Sequence, residues 1–321
     1  MATSPITSGF SGDETDNLPR TAESPVELKP RAGTSVADRF FRALTLAFAL
    51  FIIVLTLFIA FELYKNSLLS IEKFGWRFLR GTTWDPVFQN FGALPFLYGT
   101  LVTSLIALMI ASPVGLGVAI FLSELAPRWL SDPIAFMVEL LAAIPSVLYG
   151  LIGVFVLVPV MRNLGATYGV GMLTAGILLA VMIIPFITSI SREVLMAVPQ
   201  AQREAALSLG ATQWEMVWMA VLPYARSGIA GSIFLALARA LGETMAVTMV
   251  IGNRPEIKFS LFEPGYTMAA VIANEFTEAT YDLYIHALVE VGLFLFAVTI
   301  IVNALARLLI LKMANVAEVR E

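Results

Sequence analysis

From about residue 39 onward the chain reads as long apolar runs separated by polar breaks, and the runs are continuous rather than alternating. Six of them approach the length a helix needs to cross a bilayer, about 20 residues. They are Ala43–Phe61, Tyr98–Phe121, Ile134–Val160, Val170–Ile190, Gly228–Ile251 and Ala287–Leu311. Lipid cannot satisfy backbone polar groups, so only helices or closed barrels span it. Barrel strands alternate apolar and polar side chains, so these unbroken runs predict helices. The expected fold class is an all-α integral membrane protein with six transmembrane helices.

The polar stretches organise the rest. Residues 1–38 are rich in Ser, Thr, Pro, Asp and Glu and carry no apolar period, which predicts a disordered, non-spanning tail. The first apolar run starts too deep and runs too long for a signal peptide. The expected division is a tail over 1–38, a first span with its outer loop over 39–97, a core of five spans over 98–312, and a short tail over 313–321. Within the core, residues 191–227 form a longer polar connection. Pro113, Pro145 and Pro185 fall inside runs, where neighbouring helices can satisfy the freed carbonyls and a packing kink is expected.

Composition strengthens this picture and removes several alternatives. The 321 residues are 58% hydrophobic and 14% charged, against roughly half apolar and about a quarter charged in a soluble domain. The net charge of −4 and the lack of a basic stripe argue against nucleic acid. The absence of cysteine excludes disulfides, thiolate metal sites and cysteine nucleophiles. The single histidine, His286, cannot build a histidine-rich metal site alone. With the N-terminus placed in the cytoplasm, twelve Lys and Arg fall in inner segments and seven in outer ones. That bias favours cytoplasmic N- and C-termini, although Lys65–Arg80 is a contrary cluster.

The polar connection has its own pattern. Pro199 suits the first turn of a helix and Gly210 its C-terminal cap. Thr212 with Glu215 is a capping box opening a second short helix, which Pro223 would end. Ala205 and Ala206 leave a smooth face for close approach by another protein. Glu204-Ala205-Ala206, then Gly210, then Leu222-Pro223 resembles the EAA loop of bacterial ABC importer permeases, with Ala220 standing where isoleucine is usual. The resemblance implies the ABC importer type I permease fold. It also implies that Glu204, Ala205, Ala206, Gly210, Leu222 and Pro223 contact an ATPase subunit.

Two further stretches narrow the resemblance. Ala143-Ile144-Pro145-Ser146-Val147-Leu148-Tyr149-Gly150 and Ala238-Arg239-Ala240-Leu241-Gly242-Glu243-Thr244-Met245-Ala246-Val247 are similar to signatures of phosphate permeases. Met245–Val250, Trp84-Asp85-Pro86, Phe91–Pro95 and the long polar N-terminus resemble the PstC type more than the PstA type. The resemblance covers about residues 74–312. It implies import of inorganic phosphate across a bacterial inner membrane, beside a homologous PstA-type permease, a dimer of PstB-type ATPases and a PstS-type binding protein outside. No Gly-Lys dipeptide occurs, so the chain has no Walker A loop of its own. ATP and Mg would belong to the partner ATPase, and this chain needs no cofactor. A permease for sulfate or molybdate is the alternative within the class, and a secondary transporter lies further away.

Charged residues inside the runs are the candidate chemistry, because each costs at least about 2.5–3.5 kcal/mol near mid-bilayer. Arg239 and Glu243 are four residues apart in the fifth run, which would put them on one helix face. They read as a neutralising ion pair or as an anion site. The phosphate-permease resemblance gives Arg239, Glu243 and Thr244 a role in translocation. Glu139 and Glu290 could pair with Arg239 or line a wet cavity. His286 reads as an interfacial residue, and Met245–Met249 as packing.

Topology is directly testable. Single cysteines at Thr7 and Ala317 should be shielded from an impermeant thiol reagent in intact cells, and one at Thr82 should react. Labelling of Thr7→Cys in intact cells would place the N-terminus outside.

Overall fold

The computed structural model describes residues 36–318, with side chains for 38–311. The chain divides into two compact units between Leu55 and Thr56, inside helix α1 (Val36–Lys65). Every described side chain of the first unit is exposed. A helix apolar on all sides is stable in hydrocarbon and not in water. Six helices among the described residues are long and apolar enough to cross a membrane: Asp38–Lys65, Leu94–Leu125, Ser146–Asn163, Met172–Met196, Gln213–Gly242 and Asp282–Leu311. The expected tail over 1–38 lies outside the described residues except for Val36–Asp38, which open α1. The last helix runs on to Glu318, into the segment read as the C-terminal tail.

In the second unit, short helices α2 (Leu68–Phe74) and α3 (Arg77–Arg80) lead to α4 (Leu94–Ile120), which ends in a wide π turn over Phe121–Leu125. Pro95 occupies its first turn, where no N–H is needed, and Pro113 lies inside it. Next comes α5 (Arg128–Ala142). The single third run expected over Ile134–Val160 is in fact two helices. After Ala142 the chain opens at Ala143-Ile144-Pro145 and restarts as α6 (Ser146–Ile152), a π turn and α7 (Val158–Asn163). Pro145 disfavours helical backbone in the residue before it and itself sits extended, at φ −56°, ψ 137°.

Helix α8 (Met172–Met196) is the most buried span, with Pro185 inside it. Ala107 and Ala111 of α4 and Ala175 and Ala180 of α8 are all fully buried in one core. Small residues let helix backbones approach where lipid supplies no hydrophobic drive. Side-chain hydrogen bonds add to this: Thr188 Oγ1 donates to the Gly115 carbonyl at 3.2 Å, and Ser191 and Ser232 hydroxyls meet at 2.8 Å.

After α9 (Gln200–Ser208), α10 (Gln213–Met216) runs through a π turn over Val217–Val221 into α11 (Leu222–Gly242). The expected second short helix is therefore the start of the fifth span, and Pro223 does not end it. Pro223 sits at the beginning of α11, directly after the wide turn. A π turn already interrupts the i to i−4 ladder, so the missing proline N–H breaks nothing further. Helices α12 (Met245–Ile251), α13 (Met268–Glu275) and α14 (Asp282–Glu318) complete the unit.

One end of this unit is closed by an aromatic cap. Trp84 meets Phe91 and Phe96 edge-on at 4.8 and 4.9 Å, and Phe91 stacks on Tyr284 at 5.4 Å. The small turn that pairs Asp85 with Asn90 is fastened by the Tyr281 hydroxyl, which donates to the Pro86 carbonyl. One Glu275 oxygen accepts from both Trp84 Nε1 (2.7 Å) and the Tyr284 hydroxyl (2.6 Å). Glu275→Ala strands both donors and should cost about 2 kcal/mol or more. Thermal unfolding of the purified subunit in detergent should show a lowered midpoint for Glu275→Ala and a smaller drop for Glu275→Gln, which keeps an acceptor. Equal midpoints for the three proteins would remove Glu275 from the cap's stability.

Candidate functional site

The charged residues of the fifth run gather at a second helix break. Helix α11 stops at Gly242, and Glu243 is extended at φ −68°, ψ 129°. Glu243 is thus not on the helix face of Arg239, as the four-residue spacing suggested. Among the described residues no ion pair joins them. Instead the Glu243 carboxylate turns forward and Oε1 accepts from the Ala246 N–H at 3.3 Å, capping the first turn of α12. A carboxylate at a helix start is favourably placed against the unpaired N–H groups there. Thr244 Oγ1 donates back to the Gly242 carbonyl at 3.2 Å. Glu243 and Thr244 therefore supply the hydrogen bonds that the interrupted helix lacks.

Arg239 occupies the last turn of α11. Its guanidinium lies over the Phe186 ring, 4.4 Å from the centroid, and its Nε has no hydrogen-bond partner. Phe186 follows Pro185 in α8. Tyr149 of α6 lies within electrostatic reach of Arg239, and its hydroxyl donates to the Leu141 carbonyl at 2.7 Å, bridging the first helix break. Gly150 brings α6 against α12: a side-chain carbon there would sit 2.5 Å from Met249 Sδ and 3.2 Å from the Ala246 Cα. So the two interrupted helices pack on each other, and Arg239, Tyr149, Glu243 and Thr244 converge near their breaks. Phe186 and Tyr149 were not identified from sequence, although Tyr149 stands in a stretch singled out there. Neither Glu139 nor Glu290 pairs with Arg239. Glu139 lines a small cleft with Arg192 and Glu193, and Glu290 is buried in α14 beside Ser70. Met249 packs against the core around α8.

The 199–223 segment forms a second site at one end of the bundle. Pro199 is extended and precedes α9, whose Glu204 and Ala205 are exposed and whose Ala206 packs on a core of Leu195, Met216 and Val217. Gly210 has φ +88°, a left-handed turn that glycine adopts without strain, with open space where a side chain would project. The expected capping box is present: Glu215 N–H donates to Thr212 Oγ1 at 3.3 Å, and Thr212 N–H to Glu215 Oε2 at 2.8 Å. Ala206, Leu209, Gly210, Ala211, Glu215, Met219 and Ala220 line a groove of about 460 Å³. Leu209 is 90% exposed and Met219 75%, so the groove has an apolar rim open to a partner. Leu222 and Pro223 lie further along, in the continuous helix.

Sequence reading missed Arg203. Its guanidinium grips Glu124 with two bonds, Nε at 3.0 Å and Nη2 at 2.8 Å. It also donates to the carbonyls of Leu195 (2.8 Å) and Val198 (2.5 Å). The hydrogen bond to Glu124 holds Arg203 above the usual arginine range. Its only sequence signal was a charge immediately before Glu204 in an alanine-rich helix.

Because Arg239 has no carboxylate partner among the described residues, removing it strands no buried charge. Arg239→Met should reach wild-type abundance in the membrane, measured by quantitative blotting. A degraded Arg239→Met subunit would show that the arginine holds the bundle together.

The family model described as binding-protein-dependent transport system inner membrane component matches residues 111–315. A phosphate transport system permease protein PstC of Mesorhizobium japonicum is 46% identical over 298 residues, 87% of this chain and 91% of its own. PstC 2 of Mycobacterium tuberculosis is 40% identical over 318 residues, 91% and 97%. Among solved structures, a bacterial ABC transporter that imports the acidic polysaccharide alginate aligns with a TM-score of 0.57 at 15% identity, over 84% of this chain and 98% of that one. The MetNI methionine ABC transporter in inward-facing form aligns with a TM-score of 0.52 at 19% identity, over 69% and 94%. Those identities speak for the fold alone, the ABC importer permease fold. The chain belongs to the family of binding-protein-dependent transport system inner membrane components, among its PstC-type permeases.

Proposed function

We propose that the chain is the transmembrane permease subunit of an ATP-driven importer that moves inorganic phosphate into the cytoplasm, with Arg239 as its anion contact. The observation that carries this reading is a guanidinium inside a span, stacked on Phe186 and free of any carboxylate partner among the described residues, at the junction of two broken helices. A cation kept in a membrane at such expense needs an anion to meet. Arginine offers a planar fork of donors that matches phosphate oxygens and stays charged at any working pH. Glu243 and Thr244 hold the break open beside it. The phosphate transport permeases that resemble this chain over most of its length support phosphate over sulfate or molybdate.

In this reading the exposed Glu204-Ala205-Ala206 face, the Gly210 turn and the apolar-rimmed groove dock a separate PstB-type ATPase dimer, which binds ATP and Mg. Leu222 and Pro223 anchor that surface to the fifth span. A PstA-type permease completes the pathway, and a PstS-type protein delivers phosphate from outside. The subunit lies in the bacterial inner membrane with both termini cytoplasmic, as the Lys and Arg bias favours.

The test is uptake by the four-part complex in vesicles, with phosphate and sulfate compared. Arg239→Ala should abolish phosphate uptake while the complex still assembles. Arg239→Lys keeps the charge but loses the fork, and should recover only part of the rate. Wild-type uptake by a well-assembled Arg239→Ala complex would remove Arg239 from the pathway, and faster sulfate uptake would reassign the substrate.

A further inference from the structure

Helix α9 is weakly fastened. None of its residues is buried, although Ala206 touches the core beneath it. Such a helix would hang from its two ends. Arg203 alters that, because one guanidinium ties α9 to two other elements. It grips Glu124 in the π turn that ends α4, and it holds the carbonyls of Leu195 in the last turn of α8 and of Val198 just beyond it. The pair is shielded: the Arg203 side chain is 15% exposed and that of Glu124 4%. It is the only ion pair between α9 and a span among the described residues.

We infer that Arg203 and Glu124 are a positioning pair that carries displacement of α9 into the spans α4 and α8. The inference rests on the proposed docking of an ATPase at α9, and three observations support it. A shielded ion pair is a poor source of stability, since apolar residues of similar volume commonly do as well or better. What a two-pronged contact does supply is a rigid, directional link. The link also ends on the right elements. Helices α4 and α8 pack together through their alanines, and α8 carries Phe186, on which Arg239 stacks. A push at α9 thus has a continuous route of packed groups to the anion contact. Finally, the pair borders an open cleft of about 770 Å³, lined also by Arg192, Asp132 and Met196. The strut therefore has room to swing with α9 without colliding with the bundle.

The experiment uses the whole complex reconstituted in vesicles and reads two quantities together, phosphate imported and ATP hydrolysed. Arg203→Gln and Glu124→Gln should each retain the ATPase in wild-type ratio. Each should lower phosphate imported per ATP by about tenfold, a coupling change within the range seen for such positions. The Arg203→Gln/Glu124→Gln double variant should be no worse than either single, because both act through one contact; independent roles would multiply to roughly a hundredfold. The cysteine-free chain permits a second arm. An Arg203→Cys/Glu124→Cys variant should be equally uncoupled, regain its import per ATP when a short bifunctional thiol reagent bridges the two positions, and lose it again on release of the bridge. An unchanged import-to-ATP ratio in the single variants would overturn the proposal. So would multiplicative losses, or loss of the ATPase from the complex, which would mean that the pair only holds the docking surface in shape. If the wild-type complex retains no ATPase at all, the docking reading fails rather than the strut.

Discussion

Everything in this fold depends on one constraint: a backbone N–H or C=O inside hydrocarbon has no water to turn to. Each place where the chain leaves regular helix within an apolar run must therefore close its own hydrogen bonds, and those places are where the structure is most particular. At the first break, Ala143 and Ile144 donate to Leu140 and Leu141, and the Tyr149 hydroxyl takes the Leu141 carbonyl as well. At the second, Glu243 N–H reaches Ala240, Thr244 caps Gly242, and the Glu243 carboxylate covers the Ala246 N–H. The side chains that repair the backbone are those assembled around Arg239. Closing the backbone thus uses the atoms around the proposed anion contact, and the two stretches similar to phosphate-permease signatures coincide with the breaks.

A second economy appears at the opposite end of the spans. The groove there has an apolar, open rim at Leu209 and Met219, while the helix that bears Ala205 buries almost nothing. A docking element attached by packing would be stiff in every direction. One attached by a forked guanidinium is fixed in distance and direction at one point and held loosely elsewhere, which suits the proposed docking of an ATPase there.

What was legible in the sequence was local. The six apolar runs announce six spans, because twenty apolar residues have few other uses. Thr212 and Glu215 announce a cap, because both partners lie within one turn. Gly210 announces a left-handed turn, and the structure has it at φ +88°. What was not legible depended on distance or on competition. Pro145 was visible, but an interior proline is compatible with a kink or a break, and only the packing of α6 on α12 decides. The break at Glu243 is flanked by Gly242 and Thr244, but glycine is common inside transmembrane helices, so the pair alone did not mark an end. Its apparent four-residue pairing with Arg239 assumed a helix that ends one residue too soon. Arg203 gave no signal of its role, since Glu124 lies 79 positions away in sequence. Pro223 misled for a related reason: a wide turn just before it removes the clash that normally ends a helix.

That wide turn, Val217–Val221, sets a phase. A π turn holds one residue more than the helix around it, and each residue of an α-helix rotates the next by about 100°. Every side chain of α11 downstream of Val221 therefore points about 100° away from where an uninterrupted helix starting at Gln213 would aim it. Arg239 lies eighteen residues beyond that turn, yet its bearing toward Phe186 is decided there. The azimuth of the charge in the last turn of this span is written into a single surplus residue beside the apolar-rimmed groove, so that to unwind or add one residue there is to turn the arginine to another wall.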